Sequence, residues 1–151
     1  MINRLLWVGV FTLALAAATP ALAQERTAAG RIKVASGAAF IVRDGGQIPA
    51  QIGQVVLESD GLRTGADGKV GVTLKDDTRL SLGPNSELRL ERFVYTPADH
   101  GFGLVLKFVS GAATYVSGKI AKLAPDAIRL ETPAAIVGVR GTTLAIRVQP
   151  E

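Results

Sequence analysis

The stretch VGVTLKDDTRLSLGPNSELRL, Val70–Leu90, decides the fold of this chain. It contains three short runs in which apolar residues alternate with polar or small ones, the pattern of a β-strand with one buried and one solvated face. The runs are separated by KDDT and GPNS, whose residue types are typical of tight turns. Leucines recur at a fixed spacing, as in Leu74, Leu82 and Leu90. The stretch therefore predicts three consecutive short strands, arranged as a meander or as the rungs of a coil.

Strand-like alternation continues in four further stretches, 31–43, 55–62, 104–116 and 136–148. Gly111 divides the third of these, so we expect two strands there. A helix is expected only within 119–127, and only for one or two turns. We predict an all-β single domain of roughly ten to twelve short strands, given a mean strand of about five residues. A solenoid-like roll or a sandwich accommodates such strands.

Residues 1–23 have the features of a secretory signal peptide. Arg4 supplies the positive charge, an apolar run follows, and ALA at 21–23 is a cleavage site of small residues. The apolar run is about 14 residues long, whereas a membrane-spanning helix needs roughly 20. We therefore expect a signal-peptide helix that is removed; retention as an anchor is the alternative. Residues 24–30 would form a short tether, and the domain would occupy 31–149 in the periplasm, or secreted, in a Gram-negative bacterium.

Composition excludes several classes of site. The chain has a net charge of +4 and no cysteine, so disulfides and thiolate metal sites are impossible. Without the signal peptide, which contributes only Arg4, the net charge is +3, and the basic residues form no run. This charge pattern does not fit a nucleic-acid-binding protein. No later stretch is long enough to cross a bilayer. No feature of the sequence implies a cofactor.

Four segments resemble the periplasmic domain of FecR-type proteins. They are GAAFIVRDGG (37–46), GQVVLESDGLRTGADGKVGVTLKDDTRLSLGPNSELRL (53–90), LKFVSGAATYV (106–116) and ETPAAIVGVRGTTLAIRV (131–148). The positions that match the family pattern are Asp60, Thr64, Gly65, Gly68, Asp76, Asp77, Thr78, Thr132, Pro133, Arg140, Gly141 and Thr142. The chain departs from the pattern at Ser59, where the family often has glycine, and at Asp77-Thr78, which replace the usual Gly-Ser.

The resemblance implies an all-β fold and an extracytoplasmic location. The best-known members of the family are anti-sigma regulators in iron-citrate signalling, and this chain resembles only their periplasmic part. The resemblance therefore does not imply sigma-factor binding, which needs a cytoplasmic segment. It favours another envelope protein as the partner.

Two groups of polar residues have the composition of a catalytic or metal-binding site. His100, the only histidine, lies beside Asp99 and could move protons or bind a metal. No second histidine or cysteine exists to complete a metal shell, so a solvated loop histidine is favoured. Asp76 and Asp77 could form a carboxylate pair for glycoside hydrolysis. Their position in a turn explains them without catalysis.

Arg140 lies between apolar residues near the end of the chain. A buried guanidinium must be paired, because an unpaired buried charge is strongly destabilising. We expect Arg140 to bind the carboxylate of Asp60 and so to fix the last strand to the early part of the domain. A contact between Arg140 and a ligand is the alternative.

Taken together, these features predict a non-catalytic exported module that binds another protein in periplasmic signalling or envelope assembly. Loops carry function on rigid β-scaffolds, so the expected contact loop contains Pro97, Asp99, His100 and Phe102. The oligomeric state is left open.

Three alternatives remain. A carbohydrate- or peptidoglycan-binding module would require Tyr95, Phe102 and Tyr115 to be exposed on one face. An enzyme would require Asp99, His100 and a further acid to converge in one pocket. Self-assembly would require an unpaired edge strand.

Overall fold

The computed structural model describes residues 25–139 and 143–149, most of which lie in twelve β-strands. The strands are β1 (Ala28–Ser36), β2 (Ala39–Arg43), β3 (Gly46–Pro49), β4 (Val55–Leu57), β5 (Gly61–Thr64), β6 (Lys69–Leu74), β7 (Arg79–Leu82), β8 (Glu87–Thr96), β9 (Gly101–Val116), β10 (Ile128–Glu131), β11 (Ile136–Val137) and β12 (Thr143–Val148). Within these described residues, helix is confined to α1 (Lys119–Leu123) and to two 3-10 turns, Pro97–Asp99 and Pro125–Ala127. The prediction of an all-β fold is confirmed.

The strands form one curled sheet that turns through β9. The first part of β9 pairs with β8 and β10, and its last part pairs with β7 and β12. We call β3-β2-β5-β8-β9-β10-β11 the β5 half and β4-β1-β6-β7-β9-β12 the β6 half. All pairings are antiparallel except that of β9 with β10. Among the described strands β12 lies at an open edge, and self-assembly there stays a prediction.

Gly111 marks the turn of the sheet within β9. The sequence predicted two strands separated at this residue, and that prediction is wrong because β9 is continuous through it. Gly111 has a φ of +83°, which a residue with a side chain rarely adopts. A Cβ there would also overlap the Ser86 hydroxyl and the backbone of Asn85. Glycine therefore lets one strand serve both halves of the sheet.

The periodic stretch behaves as its pattern predicts. Leu74, Leu82 and Leu90 are all buried. Val72 lies opposite Leu80 in the β6–β7 pairing, so their side chains share the inner face. These residues belong to one core cluster to which both halves contribute. Alternation of buried and exposed residues therefore places a single core inside the curled sheet.

The N-terminal boundary differs from the predicted one. β1 begins at Ala28, inside the stretch 24–30 that was expected to be a tether. Ala29 and Gly30 are buried, and a Cβ at Gly30 would overlap the backbone of Thr73. Close packing between β1 and β6 therefore draws these residues into the sheet. The expected signal peptide, 1–23, lies outside the described residues. Among the residues that are described, no helix is long and apolar enough to cross a membrane.

Candidate functional site

Polar residues of the family pattern lie at the turns of the sheet. The buried polar residues in the described chain are Asp60, Thr64, Asp76, Thr78 and Ser86. Buried polar groups must be hydrogen-bonded, and these bind mainly backbone atoms of neighbouring turns. These contacts hold the strands that form the surface of the domain.

Asp60 ends the turn between β4 and β5. Its carboxylate accepts hydrogen bonds from Nε and Nη2 of Arg43, at 2.9 and 2.7 Å, and from the backbone N–H of Leu57 at 2.8 Å. The hydrogen bond to Asp60 raises the pKa of Arg43, against the smaller opposing effect of burial. The partner expected for Asp60 was Arg140, which lies outside the described residues together with Gly141 and Thr142. The described partner of Asp60 is Arg43.

Thr64 joins two turns of the sheet. Its hydroxyl donates to the carbonyl of Gly83 at 2.6 Å and accepts from the N–H of Ser86 at 3.0 Å. A Cβ at Gly65 would lie 2.9 Å from the Cβ of Ala38, and a Cβ at Gly68 would overlap the carbonyl oxygen of Ala38. Gly65 and Gly68, two positions of the family pattern, therefore allow the backbone after β5 to pack closely against Ala38.

The two adjacent aspartates have different environments. Asp76 is fully buried and accepts hydrogen bonds from the Thr78 hydroxyl at 2.7 Å and from the N–H of Ile120 at 3.2 Å. Asp77 is exposed and forms an ion pair with Lys119 at 3.0 Å, which raises the pKa of Lys119. Asp76 thus ties the β6–β7 turn to the start of α1. These contacts account for both carboxylates without a catalytic pair.

The expected contact loop is the tip of the β8–β9 hairpin. Pro97, Asp99 and His100 are exposed there, and the N–H of His100 closes the 3-10 turn on the carbonyl of Pro97. Phe102 is half-buried and lies opposite Tyr95, with ring centroids 6.2 Å apart. The side chain of Phe102 therefore supports the hairpin from one side. In the described part of the chain, no three His, Cys, Asp or Glu side chains form a group that could hold a metal.

The described aromatic residues do not form an exposed platform of the kind that stacks on sugars. Tyr115 is fully buried, and Tyr95 and Phe102 pack against the core. The carbohydrate-binding alternative required these three rings on one exposed face, so their placement counts against aromatic stacking.

A groove lies on the outer face of the β5 half, beside the expected contact loop. We call it the β11 groove; it has a volume of about 310 Å³. Val105 and Gly103 lie at its centre, and Arg92 and Arg129 lie on either side, because the register places Val105 opposite both arginines. The rest of its lining consists of Phe102, residues 126–128 and residues 136–138. Asp126 is exposed and adds one carboxylate to this lining, so the groove has two cations and one anion.

The two arginines of the β11 groove have few competing contacts. A Cβ at Gly103 would lie 3.1 Å from Nε of Arg92, so glycine allows this arginine to lie across the strand. Arg129 has only a long ion pair, 3.7 Å, with Glu131. The groove therefore offers two cations on either side of an apolar centre.

Exposed apolar side chains border the β11 groove. Ile136 is 69% exposed and Val137 is 41% exposed, although both belong to a strand. The turn before them is closed by Thr132, whose hydroxyl accepts from the N–H of Ala135 at 3.1 Å and whose own N–H donates to the carbonyl of Ala135 at 2.8 Å. Thr132 and Pro133, two positions of the family pattern, thus hold β11 at the sheet edge.

Sequence reasoning missed the β11 groove. Its residues come from β8, β9, β10 and β11, and only the register between strands brings them together. The one local signal was AAIVG, an apolar run beside a predicted break, whose last residues were assigned to the strand-like stretch 136–148.

Comparison with known proteins gives one match. The family described as FecR protein matches residues 60–151, more than half of the chain. The match begins at Asp60 and includes the β11 groove. No curated protein and no solved structure matches the chain significantly.

Proposed function

The chain belongs to the FecR family, and from this premise we propose that its domain is a non-catalytic module that binds another protein of the bacterial envelope. The binding would serve periplasmic signalling or envelope assembly. The predicted signal peptide supports the compartment, and membership in a regulatory family supports a role in signalling. The exposure of Asp99 and His100 at a hairpin tip gives no support to catalysis by that pair.

The observation that carries the proposal is the exposure of Ile136 on an edge strand. Large apolar residues on short edge strands are unfavourable in water unless a partner covers them. Among the described strands β11 pairs only with β10, so its other edge can accept an extended segment. Such a segment gains backbone hydrogen bonds from β11 and apolar contact with Ile136.

Charge in the β11 groove indicates the chemistry of the partner. An extended segment with an apolar residue over Val105 would place its neighbouring side chains near Arg92 and Arg129. Carboxylates at those positions would form charge-assisted hydrogen bonds with the guanidinium groups. The partner we propose is therefore an extended segment of a protein in which acidic residues flank an apolar one.

Photo-crosslinking in living cells tests this proposal. A benzoylphenylalanine at position 136 of the full chain should form one specific adduct with an envelope protein. The same residue at position 52 is the matched control, since Ile52 is also exposed, at 70%, but lies far from the groove in sequence. Arg92→Glu should abolish the adduct at 136, whereas Lys107→Glu, an equal change of charge outside the groove lining, should not. No adduct at 136, or equal adducts at 52 and 136, would refute the proposal.

A further inference from the structure

The outer face of the β6 half carries charge of only one sign. The outward positions, aligned by the strand register, are Arg31, Val34 and Ser36 on β1, Lys69, Gly71 and Thr73 on β6, Arg79 and Ser81 on β7, Ala112, Thr114 and Val116 on β9, and Thr143, Ala145 and Arg147 on β12. We call this surface the basic face. Its charged residues are Arg31, Lys69, Arg79 and Arg147. None of the aligned positions carries a carboxylate, and Asp77 borders the face beside Arg31 and Thr73.

Three of the four cations of the basic face are free to bind a ligand; the fourth, Arg31, donates a hydrogen bond to the carbonyl of Gly53. Lys69, Arg79 and Arg147 form no ion pair with any described carboxylate. Of the acidic residues near this face in sequence, Asp67 accepts a hydrogen bond from Ala38 and Asp77 is paired with Lys119. These carboxylates are already engaged, so they compete little with an added anion.

The outer face of the β5 half provides the contrast. There Glu87 lies within ion-pair distance of both Arg63 and Arg89. Glu131 is paired in the same way with Arg129. Opposite charges are mixed on that face, so the unbalanced positive charge of the described domain is most pronounced on the basic face. A surface with one sign of charge attracts a ligand of the opposite sign.

The shape of the basic face suits a chain that lies across the strands. A groove of about 380 Å³ runs between Lys69 and Arg147. Lys69 is on β6 and Arg147 is on β12, three strands further across the sheet in the order β6-β7-β9-β12. At about 4.8 Å between neighbouring strands, their backbones are roughly 14 Å apart. The floor between them is made of small and hydroxyl-bearing side chains, Ser81, Gly83, Ala112, Thr114 and Ala145.

We propose that the basic face binds a linear acidic polysaccharide whose carboxylates pair with Lys69 and Arg147. The small floor lets sugar rings lie close to the sheet, and the hydroxyls of Ser81 and Thr114 can hydrogen-bond to ring hydroxyls. Because charge pairing provides the affinity, this site does not need the aromatic platform that the domain lacks among its described residues.

Two other polyanionic partners fit this surface less well. A membrane surface would be bound by a convex patch with protruding apolar side chains, whereas the floor here is concave and small. An acidic polypeptide that adds a strand to an edge would lie along β12 alone, whereas the groove extends from β12 across β9 and β7 to Lys69 on β6.

Calorimetric titration of the processed protein with oligogalacturonate, a linear carboxylate-bearing probe, tests the proposal. Binding is expected, and it should weaken as salt is raised because the contacts are between exposed charges. The double variant Lys69→Glu, Arg147→Glu should lose at least tenfold in affinity, and the neutral variants Lys69→Gln and Arg147→Gln should each lose less. Lys107→Glu, on the outer face of the other half, should bind as the wild type does.

Several outcomes would overturn the proposal: no binding, equal binding of the fully methyl-esterified oligomer, or an equal loss in Lys107→Glu. Tighter binding to polyglutamate or to vesicles containing anionic phospholipid would assign the face to a different ligand class. Thermal unfolding of each variant checks its fold. Arg92→Glu should leave titration with the oligomer unchanged, so failure here is distinguishable from failure of the proposed protein-binding function.

Discussion

Arg43 binds both carboxylate oxygens of Asp60, with Nε 2.9 Å from Oδ1 and Nη2 2.7 Å from Oδ2. The pair joins β2 to the β4–β5 turn, and the Asp60 side chain is fully buried while that of Arg43 is 25% exposed. A bidentate arginine–carboxylate contact fixes the relative orientation of the two side chains in addition to pairing their charges. The first position of the family match is therefore a structural contact between distant parts of the chain.

Asp60→Asn should destabilise the domain by about 3 kcal/mol, because it leaves the Arg43 guanidinium facing an amide in a largely buried site. The measurement is the free energy of unfolding in urea. Arg63→Gln, which breaks the more exposed pair with Glu87 at 3.1 Å, is the control and should cost less than about 1 kcal/mol. Equal losses in the two variants would show that the Arg43–Asp60 contact has no special role.

Asp76→Ala should cost about 3 kcal/mol, because the buried carboxylate is the acceptor for Thr78 and for the N–H of Ile120. The same change should speed hydrogen exchange in α1. Asp77→Asn is the matched control in the adjacent position. Asp77 is exposed with a φ of 68°, which asparagine tolerates, so the control should remain within about 0.5 kcal/mol of the wild type. Unchanged exchange in α1 of Asp76→Ala would contradict the role assigned to this carboxylate.

Local features of the sequence were sufficient to predict most of the strands, although β3 lies outside the predicted stretches and β9 is continuous where two strands were expected. The alternation around Leu74 and Leu82 directly reflects burial of one face, and turn residues are chosen by backbone geometry. The helix expected within 119–127 is also present, as α1 and a 3-10 turn. These features depend on neighbours along the chain, which the sequence displays.

Contacts between distant segments could not be predicted in the same way. Any arginine could have been the partner of Asp60, and only the pairing of β2 with β5 brings Arg43 to it. The bend at Gly111 depends on Ser86, which approaches from another turn. The β11 groove and the basic face likewise require the register of several strands, so their residues are scattered in sequence.

Substitution at Gly111 separates the cost of backbone conformation from the cost of close packing. Gly45, in the β2–β3 turn, has a φ of +77° and no heavy atom within 4 Å of an added Cβ, so Gly45→Ala should cost only about 1 kcal/mol. Gly111→Ala faces the same conformational penalty and also overlaps Ser86, so its loss should exceed about 3 kcal/mol. Urea unfolding measures both. Equal costs would mean that β9 does not depend on close packing at its bend.

Tyr115 should make the stability of the domain sensitive to alkaline pH. Its ring is fully buried, and burial is the main cause that raises the pKa of Tyr115 above the ordinary value of 10.0. A hydrogen bond with the Ser117 side chain acts in the opposite direction and more weakly. With a higher pKa in the folded state, the unfolded chain loses this proton first as pH rises. The contribution of Tyr115 to the free energy of unfolding is therefore complete below about pH 10 and declines above it.

Tyr115→Phe removes this titration and leaves the packing of the ring in place. At pH 7 the variant should be as stable as the wild type to within about 1 kcal/mol, because the hydrogen bond with Ser117 that is lost contributes little net stability. Above about pH 10, the ordinary tyrosine pKa, the unfolding free energy of the wild type should fall more steeply with pH than that of the variant. Lysines also titrate in that range, but they are common to both proteins, so the difference between the two curves isolates Tyr115. Parallel curves would mean that the phenol titrates alike in the folded and unfolded chains, and that water reaches it inside the sheet.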